Sequence, residues 1–439
     1  MQKNHKTTFR TILAALLLVF VLATGCAPVS QVVVEVTIPP EVRVVEITAT
    51  PEIRVVEVTV TPSPAPPPTA TPDDASQEPP LALVGGVLID GTGTDPLPDA
   101  ALVIRGERIV AVGPRAEVVI PPDARIIELE GATILPGFIN THVHNAYVRH
   151  TLRTWALAGV TTVRDLGAPV GSPYFVIRDR LAENPLHARV IAAGPLVTVP
   201  EGYPIAGNDF PSLTVTSPED ARQKITQLID EGSDVAKGAD VIKITLTIDF
   251  APSLSLEQVT AIVETAHERG VPVTVHATRL IDLRRALDGG VDDIAHIVTD
   301  HVPDEVIQQM IEADVSWVPT FDALGGRGAE NLRRFVEAGG RVALGNDAGY
   351  LPGLEIGMPM REIELLQTAG MTPMQIIIAA TRDAAYVCRR ADTLGTLETG
   401  KLADVLVVDG DPLEDLQVLS NVRLVVRGGV VIREENLEE

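Results

Sequence analysis

Short apolar runs alternate with helix-period segments through the middle of the chain. The helical pattern, with apolar residues on one face, is clearest at residues 218–231, 256–269 and 303–313. This alternation is typical of β-α units around a parallel sheet, and eight units in roughly 260 residues is the size of a TIM (β/α)8 barrel. The apolar runs predict strands that end near His144, Asp165, Gly194, Thr245, His276, His296, Thr320 and Asp347.

The two flanks of this region carry short strands separated by turns rich in Gly, Asp and Pro. These strands are predicted at residues 83–90, 101–104, 108–112, 403–409 and 422–431. The N-terminal group favours a small antiparallel unit. Because strands of matching character flank the middle, we predict one β-domain built from residues 81–134 and 395–439, with the barrel in residues 135–394.

The first 26 residues are similar to a bacterial lipoprotein signal peptide. A basic start precedes an apolar stretch at residues 12–22, shorter than the roughly 20 residues that span a bilayer. The stretch ends at Cys26 in a sequence that resembles a lipobox, although Ala23 stands where leucine is usual. We expect a lipid on Cys26 that anchors the protein in the cell envelope, on the outer side of the cytoplasmic membrane. The alternative is an ordinary secretory signal with an incidental cysteine.

Residues 27–80 are rich in proline and repeat a Glu-Val-Thr or Glu-Ile-Thr triplet every 11 residues, at Glu35, Glu46 and Glu57. Proline at this frequency breaks helices, and units this short bury no core of their own. The segment is therefore predicted to be an extended stalk without chemistry.

The composition narrows the possible partners. Hydrophobic residues make up 45% of the chain, enough for a large core. The formal charge is -24, from 35 Lys and Arg against 59 Asp and Glu, so we expect no surface for nucleic acid. Cys26 and Cys388 are too far apart in sequence to indicate a disulfide framework.

Two histidines close the first predicted barrel strand. His142 and His144 lie two residues apart in Pro-Gly-Phe-Ile-Asn-Thr-His-Val-His, so both project from one face of the strand. Neutral imidazoles at a strand terminus can bind a divalent metal. Such a pair, taken alone, is equally consistent with a chance arrangement on a solvated edge.

Four further polar residues interrupt apolar strands: Lys243, His276, His296 and Asp347. Lys243 lies within a strand expected to be buried, where an unpaired ammonium is costly, so it needs either a partner such as Asp165 or a chemical change. Taken singly, either histidine is consistent with a hydrogen-bonded core residue and Asp347 with a helix N-cap. Together, at the ends of barrel strands, these residues predict a metal site.

From residue 81 to residue 433 the chain resembles the amidohydrolase superfamily, and within it the imidazolonepropionase-like and prolidase-like metal-dependent hydrolases. The similar motifs are residues 86–93, 135–144, 159–165 and 395–404. The resemblance implies a distorted TIM barrel with a composite β-sandwich made from both termini. It also implies an enzyme that hydrolyses a small-molecule amide.

The implied cofactors are two divalent metal ions, with Zn²⁺ expected. One metal would be held by His142, His144 and Asp347, and the other by His276 and His296. Lys243, carboxylated on its amine, would bridge both metals. In the implied mechanism a metal-bridging hydroxide attacks the carbonyl of an amide or peptide C–N bond, and Asp347 carries the proton to the leaving amine. A dipeptide or N-acyl amino acid would be the substrate.

The chain departs from the family pattern beside these ligands. Thr278 stands where a second histidine is usual, and Ala295 and Ile297 replace Glu and Gly. Thr278 is a candidate for substrate contact, together with Tyr203 and His301. Two other interpretations stay open: a lipoprotein that binds a ligand or partner on this scaffold without turnover, and a one-metal hydrolase of cyclic amides.

Overall fold

The computed structural model describes residues 79–205, 211–230 and 238–435, together with the backbone of β1 (Glu35–Ile38) and β2 (Glu41–Val44). These two strands pair antiparallel with each other. They belong to a first unit, and the second unit begins at Ala75. The expected signal and Cys26 lie outside the described residues. Across the described part of the chain, no helix is long and apolar enough to cross a membrane.

The second unit begins with a group of strands that continue almost without interruption into the barrel region. They are β3 (Leu81–Leu88), β4 (Leu97–Arg105), β5 (Arg108–Pro114), β6 (Arg125–Glu128) and β7 (Thr133–Pro136). β4 pairs antiparallel with β3 and β5. The predicted antiparallel unit of three strands is therefore confirmed. β6 and β7, which were not predicted as strands, both run parallel to β3.

Parallel strands alternate with helices through the middle of the chain, as predicted. They are β8 (Phe138–Val143), β9 (Val160–Asp165), β10 (Arg189–Ala192), β11 (Val197–Thr198), β12 (Leu213–Thr214), β13 (Ile242–Thr245), β14 (Val273–His276), β15 (Asp293–Ala295) and β16 (Ser316–Val318). Two sheets result, with the strand orders β10-β9-β8 and β12-β11-β13-β14-β15-β16. A closed eight-stranded ladder is not among the strand pairs of the described residues.

The eighth predicted strand, ending at Asp347, is a hydrogen-bonded segment and not a regular strand. Ala343 N donates to Trp317 O on β16 at 2.9 Å, and Asp347 N donates to His142 O on β8 at 2.9 Å. The segment therefore bonds to an edge strand of each parallel sheet. The chain links the two sheets at a second place, since β10 and β11 are consecutive but belong to different sheets.

The helices cover the apolar strands of the barrel region. They span Arg149–Leu157, Tyr174–Ala182, Pro218–Asp230, Leu256–His267, Leu280–Asp288, Asp304–Glu312, Phe321–Leu324, Ala329–Glu337, Met360–Thr368, Pro373–Ala380 and Arg382–Val387. The helix Leu256–His267 begins at a capping box, in which Ser255 and Gln258 bond each other's backbone N–H groups. Its buried face, including Val259 and Ile262, packs into the main core.

Strands from the C-terminal end join the sheet of β3 to β7: β17 (Val405–Val408), β18 (Val422–Arg427) and β19 (Val430–Glu434). A 3₁₀ turn at Leu416–Ser420 lies between β17 and β18. β17 pairs antiparallel with β7, so both ends of the second unit share one mixed sheet, ordered β19-β18-β17-β7-β3-β4-β5 with β6 on β3. The β-sandwich and the domain boundaries stay predictions.

A buried ion pair ties the strands together beneath the site. Both terminal nitrogens of Arg164 bond the carboxylate of Asp293 at 2.9 Å, and Arg164 Nε donates to Thr141 O at 2.6 Å. Thr274 Oγ1 donates to Asp293 Oδ1 at 2.5 Å. Because both charges are buried and fully bonded to each other, they fix the spacing of β9, β14 and β15.

Candidate active site

The C-terminal ends of the parallel strands surround a cavity of about 100 Å³. All six residues predicted as metal ligands line it: His142, His144, Lys243, His276, His296 and Asp347. The remaining wall is mainly apolar and aromatic, formed by Leu196, Tyr203, Pro204, Tyr350 and Leu351. The structure thus brings together side chains from across about 200 residues of sequence, as the pattern of strand ends predicts.

The two histidines of the first strand converge on one carboxylate oxygen. His142 Nε2 lies 3.2 Å and His144 Nε2 lies 3.0 Å from Asp347 Oδ1. Burial opposes ionisation of Asp347, but the neighbouring His142 and His144 bring its pKa well below the usual value. Asp347 is therefore a carboxylate at neutral pH, a form that can bind a cation.

The ring of His296 contacts the rings of both His142 and His276 at an angle. The ring centroids of His276 and His296 are 4.5 Å apart, and those of His142 and His296 are 4.8 Å apart. Burial, followed by the charge of Lys243, lowers the pKa of His142 and of His276 to about 3. Burial also lowers the pKa of His296 well below its ordinary value. All three imidazoles are neutral at pH 7, which is the form that ligates metals.

His296 is held in one orientation by its neighbours. Its Nδ1 lies 2.7 Å from Thr320 Oγ1, and its carbonyl oxygen accepts a hydrogen bond of 2.8 Å from Trp317 Nε1. The backbone φ angles of His296 and Thr320 are 76° and 49°, in the left-handed region that such residues rarely adopt. Strain of this kind persists only where surrounding structure enforces it, and it is frequent at functional sites.

The turn that carries Asp347 is equally constrained. Asp347 has a φ of 62°, and Asn140 Nδ2 donates to Asn346 Oδ1 at 2.8 Å beneath it. Gly349 has a φ of 103°, and a Cβ atom there would lie 2.0 Å from His144 O, so only glycine fits. The helix-cap interpretation of Asp347 is wrong, since the next described helix begins at Met360.

Lys243 lies on β13, is 1% exposed, and faces the same cavity. Its Nζ has no hydrogen-bond partner among the described residues. Burial lowers the pKa of this amine to about 7. The structure does not show the alternative ion pair with Asp165, since Lys243 Nζ has no partner among the described residues, and Asp165 instead accepts hydrogen bonds from Ala146 N at 2.7 Å and Gly167 N at 3.0 Å.

The three candidate substrate contacts are placed differently. Tyr203 lines the cavity, with its ring centroid 4.8 Å from that of His276. Thr278 lines a second, adjoining cavity. His301 is exposed and lines neither, because the chain has left the strand end by this point and leads into the helix Asp304–Glu312. The structure therefore does not support the prediction for His301.

Two positioning residues were not predicted from the sequence. Thr320 was predicted as a strand end. Its contact with His296, however, depends on the left-handed backbone of both residues, which the sequence does not indicate. Glu362 accepts hydrogen bonds from Phe321 N at 2.9 Å and Asp322 N at 2.7 Å, and thereby fixes the segment after Thr320. Burial raises the pKa of Glu362 to about 8. In the sequence it is an ordinary position within an amphipathic helix.

The donor set fits a divalent metal. Ligand atoms of His142, His296 and Asp347 lie within 4.8 Å of one another. Among the described residues, His142 Nδ1 and Lys243 Nζ are buried polar atoms without a hydrogen-bond partner. Unsatisfied polar atoms around a cluster of neutral imidazoles and one carboxylate are expected where a cation completes the bonding.

Comparison with known proteins identifies similar chains. The sequence profile described as "Amidohydrolase family" matches residues 133–432. Imidazolonepropionase of Symbiobacterium thermophilum is 28% identical over 363 residues, which cover 71% of this chain and 84% of that protein. The crystal structure of a Xaa-Pro dipeptidase with bound methionine superposes with a TM-score of 0.69 at 27% identity, covering 80% of this chain and 99% of the other. Molinate hydrolase superposes with a TM-score of 0.69 at 26% identity, covering 81% and 95%.

Proposed function

We propose, on the premise that this chain belongs to the amidohydrolase family, that it hydrolyses an amide or peptide C–N bond of a small molecule with the help of divalent metal ions. The predictions of this family and of a hydrolytic enzyme are confirmed. The observation that carries the proposal is the convergence in a single cavity of four histidines, one carboxylate and one lysine whose amine has no partner among the described residues. A ligand-binding protein without turnover has no need for such a donor set.

The proposed site holds two metal ions, with Zn²⁺ expected. One would be held by His142, His144 and Asp347 and the other by His276 and His296, with a carboxylated Lys243 between them. When bound, such ions lower the pKa of a coordinated water and polarise the substrate carbonyl. Carboxylation is supported by the burial and the lowered pKa of Lys243, because an amine reacts with carbon dioxide only when it is unprotonated.

The chain's own residues supply the remaining steps. Asp347, which is ionised at neutral pH, accepts a proton from the attacking water and delivers it to the leaving amine. Thr320 and Trp317 keep His296 in place through its Nδ1 and its carbonyl oxygen. Tyr203, Tyr350 and Leu351 form the wall of the cavity beside the reacting groups.

We infer a dipeptide or an N-acyl amino acid as the substrate, because the cavity is small and the chain is similar in structure to a Xaa-Pro dipeptidase. Similarity to imidazolonepropionase favours a cyclic amide as the second candidate. The test is a count of bound metal on purified protein, followed by hydrolysis assays on both classes before and after removal of metal by a chelator. We expect linear amides to be cleaved only with metal present. Cleavage of cyclic amides alone, with one bound metal, would support the second candidate.

We also infer that the two parallel sheets are arcs of one distorted barrel. The consecutive strands β10 and β11 join them on one side, and the hydrogen-bonded segment that carries Asp347 joins them on the other. The mixed sheet shared by both ends of the unit supports a composite β-domain beside it. A high-resolution crystal structure would test both inferences.

For localisation, we propose that Cys26 is lipidated and that residues 27–80 tether the enzyme outside the cytoplasmic membrane. A diacylglyceryl group with an added acyl chain anchors a protein stably, whereas one acyl chain does not. The variant Cys26→Ser should not incorporate labelled fatty acid. The protein should then either leave the membrane fraction or keep an uncleaved signal peptide. Cys388→Ser, at the only other cysteine, should keep the label. Normal processing and membrane fractionation of Cys26→Ser would exclude the lipid anchor.

A further inference from the structure

A second cavity of about 320 Å³ adjoins the active-site cavity and shares Tyr203 and His276 with it. Its other walls come from the loop after β13 and from the start of the helix Leu280–Asp288: Thr247, Asp249, Phe250, Thr278, Arg279 and Asp282. A substrate whose amide lies among the histidines has this cavity within reach of one of its ends. Apart from His276, the polar residues of this cavity have no part in the proposed metal site.

Asp282 is the most informative of these groups. Its side chain is 1% exposed, and Oδ1 accepts a hydrogen bond of 2.8 Å from Ile248 N. Oδ2 is buried and has no hydrogen-bond partner among the residues that the structure describes. Thr247 Oγ1, on a residue that is 8% exposed, also lacks a partner there. A buried carboxylate oxygen without a donor is costly, so Asp282 Oδ2 is suited to a hydrogen-bond donor on a ligand, and Thr247 lines the same cavity.

The charge balance of the cavity specifies the kind of donor. The lining holds two carboxylates, Asp249 and Asp282, against the one guanidinium of Arg279. Arg279 is already shared by two carboxylates, since its Nε lies 3.0 and 2.9 Å from the oxygens of Asp300, outside the lining, and its Nη2 lies 3.8 Å from Asp249 Oδ2. Asp282 has no ion pair among the described residues and is the carboxylate left for a cation. Burial raises the pKa of Asp282, and a bound cation would favour its ionised form.

The phenyl ring of Phe250 at this cavity also suits a cationic ligand. Phe250 lines the cavity and is 77% exposed, so its ring is open to a ligand. Aromatic faces attract ammonium and guanidinium groups. An exposed phenyl ring beside two carboxylates is therefore consistent with a site for an organic cation.

We propose that this second cavity binds a cationic group of the substrate, an ammonium or guanidinium, through Asp282 and Thr247, while the amide to be cleaved lies in the active-site cavity. This inference rests on the proposed function and adds the substrate class, which is an amide that carries a basic side chain. The metal-binding residues and the proton transfer are the same for any amide, so the second cavity determines selectivity and not chemistry.

The test compares substrates that differ only in one charge. N-acetyl-lysine is paired with N-acetyl-norleucine, and N-(6-aminohexanoyl)-alanine with N-hexanoyl-alanine, so that the cation lies on the amine side or on the acyl side of the amide. We expect kcat/KM to be about 10-fold to 100-fold higher for the cationic member of one pair, the range of a charge-assisted hydrogen bond. Asp282→Asn should abolish this preference through KM, since asparagine keeps the acceptor for Ile248 N but carries no charge for the cation.

Asp288→Asn is the matched control, because it removes the same charge from the exposed end of the same helix. It should leave the preference intact. Equal rates for both members of each pair in the wild-type protein, or a preference for N-acetyl-glutamate, would overturn the cation site while the hydrolase assignment stands. If no amide is cleaved, calorimetric titration with pentylamine, and with pentanol as the neutral probe, tests the cation site independently of hydrolysis. Binding of pentylamine that Asp282→Asn abolishes would support the cation site without the proposed function, and absence of such binding would overturn it.

Discussion

Replacement of Asp347 by asparagine is expected to lower kcat by about 10²-fold to 10⁴-fold, the loss typical of a removed general acid-base group. Asparagine has the same shape and keeps one oxygen where Asp347 Oδ1 meets His142 Nε2 and His144 Nε2, at 3.2 and 3.0 Å. The fold and most of the bound metal should therefore persist. What asparagine cannot do is accept a proton and pass it to the leaving amine.

The measurement is kcat and KM on an amide that the wild-type protein cleaves, with metal content determined on the same samples. A loss confined to kcat indicates a group that acts in the transition state, whereas a loss confined to KM indicates one that only binds substrate. Asp304→Asn is a suitable control, since it makes the same change on a side chain that is 90% exposed. Hydrolysis by Asp347→Asn at close to the wild-type rate, with metal bound, would rule out Asp347 as the proton carrier.

The ligand set could be predicted from the sequence because each of its members is a polar residue within or at the end of an apolar strand. His142 and His144 follow the two-residue period of a strand, so they share a face before any tertiary structure is known. Lys243 is an ammonium within an apolar run, and burial makes that costly. Since the ends of parallel strands meet at one edge of the fold, residues far apart in sequence were expected to converge there.

Features that depend on backbone conformation or distant pairing could not be predicted. The left-handed φ angles of His296 and Thr320 have no sequence signal, since neither residue is glycine. The partner of Arg164 is Asp293, 129 residues away, and nothing in the intervening pattern selects it. The direction of β6 and β7 relative to β3 was likewise open, because short apolar strands pair either way. His301 was misplaced because distance along the chain from a strand end says little about where a loop residue lies.

Lys243 is the position at which a single substitution should remove both metal and activity. As an unmodified amine its Nζ is buried without a partner among the described residues, an arrangement that is unfavourable in itself. As a carbamate it has lost its positive charge and offers two oxygen ligands, so the modification and the metals stabilise each other. Lys243→Ala should therefore lose bound metal and nearly all hydrolysis. Its fold should persist, since the change leaves a small void but removes a buried ammonium.

Chemical rescue distinguishes this role from a merely structural one. Acetate or propionate added to Lys243→Ala should restore part of the metal content and activity, because the vacated volume can admit a small carboxylate in place of the carbamate. Lys243→Met fills that volume with a side chain of similar length, so it should lose activity equally but gain nothing from the acids. Intact-mass measurement on metal-loaded wild-type protein should show the added mass of one carbon dioxide, lost together with the metal on acidification. An unmodified lysine beside one fully bound metal ion would overturn the two-metal site, while the family and the positions of the four histidines would stand.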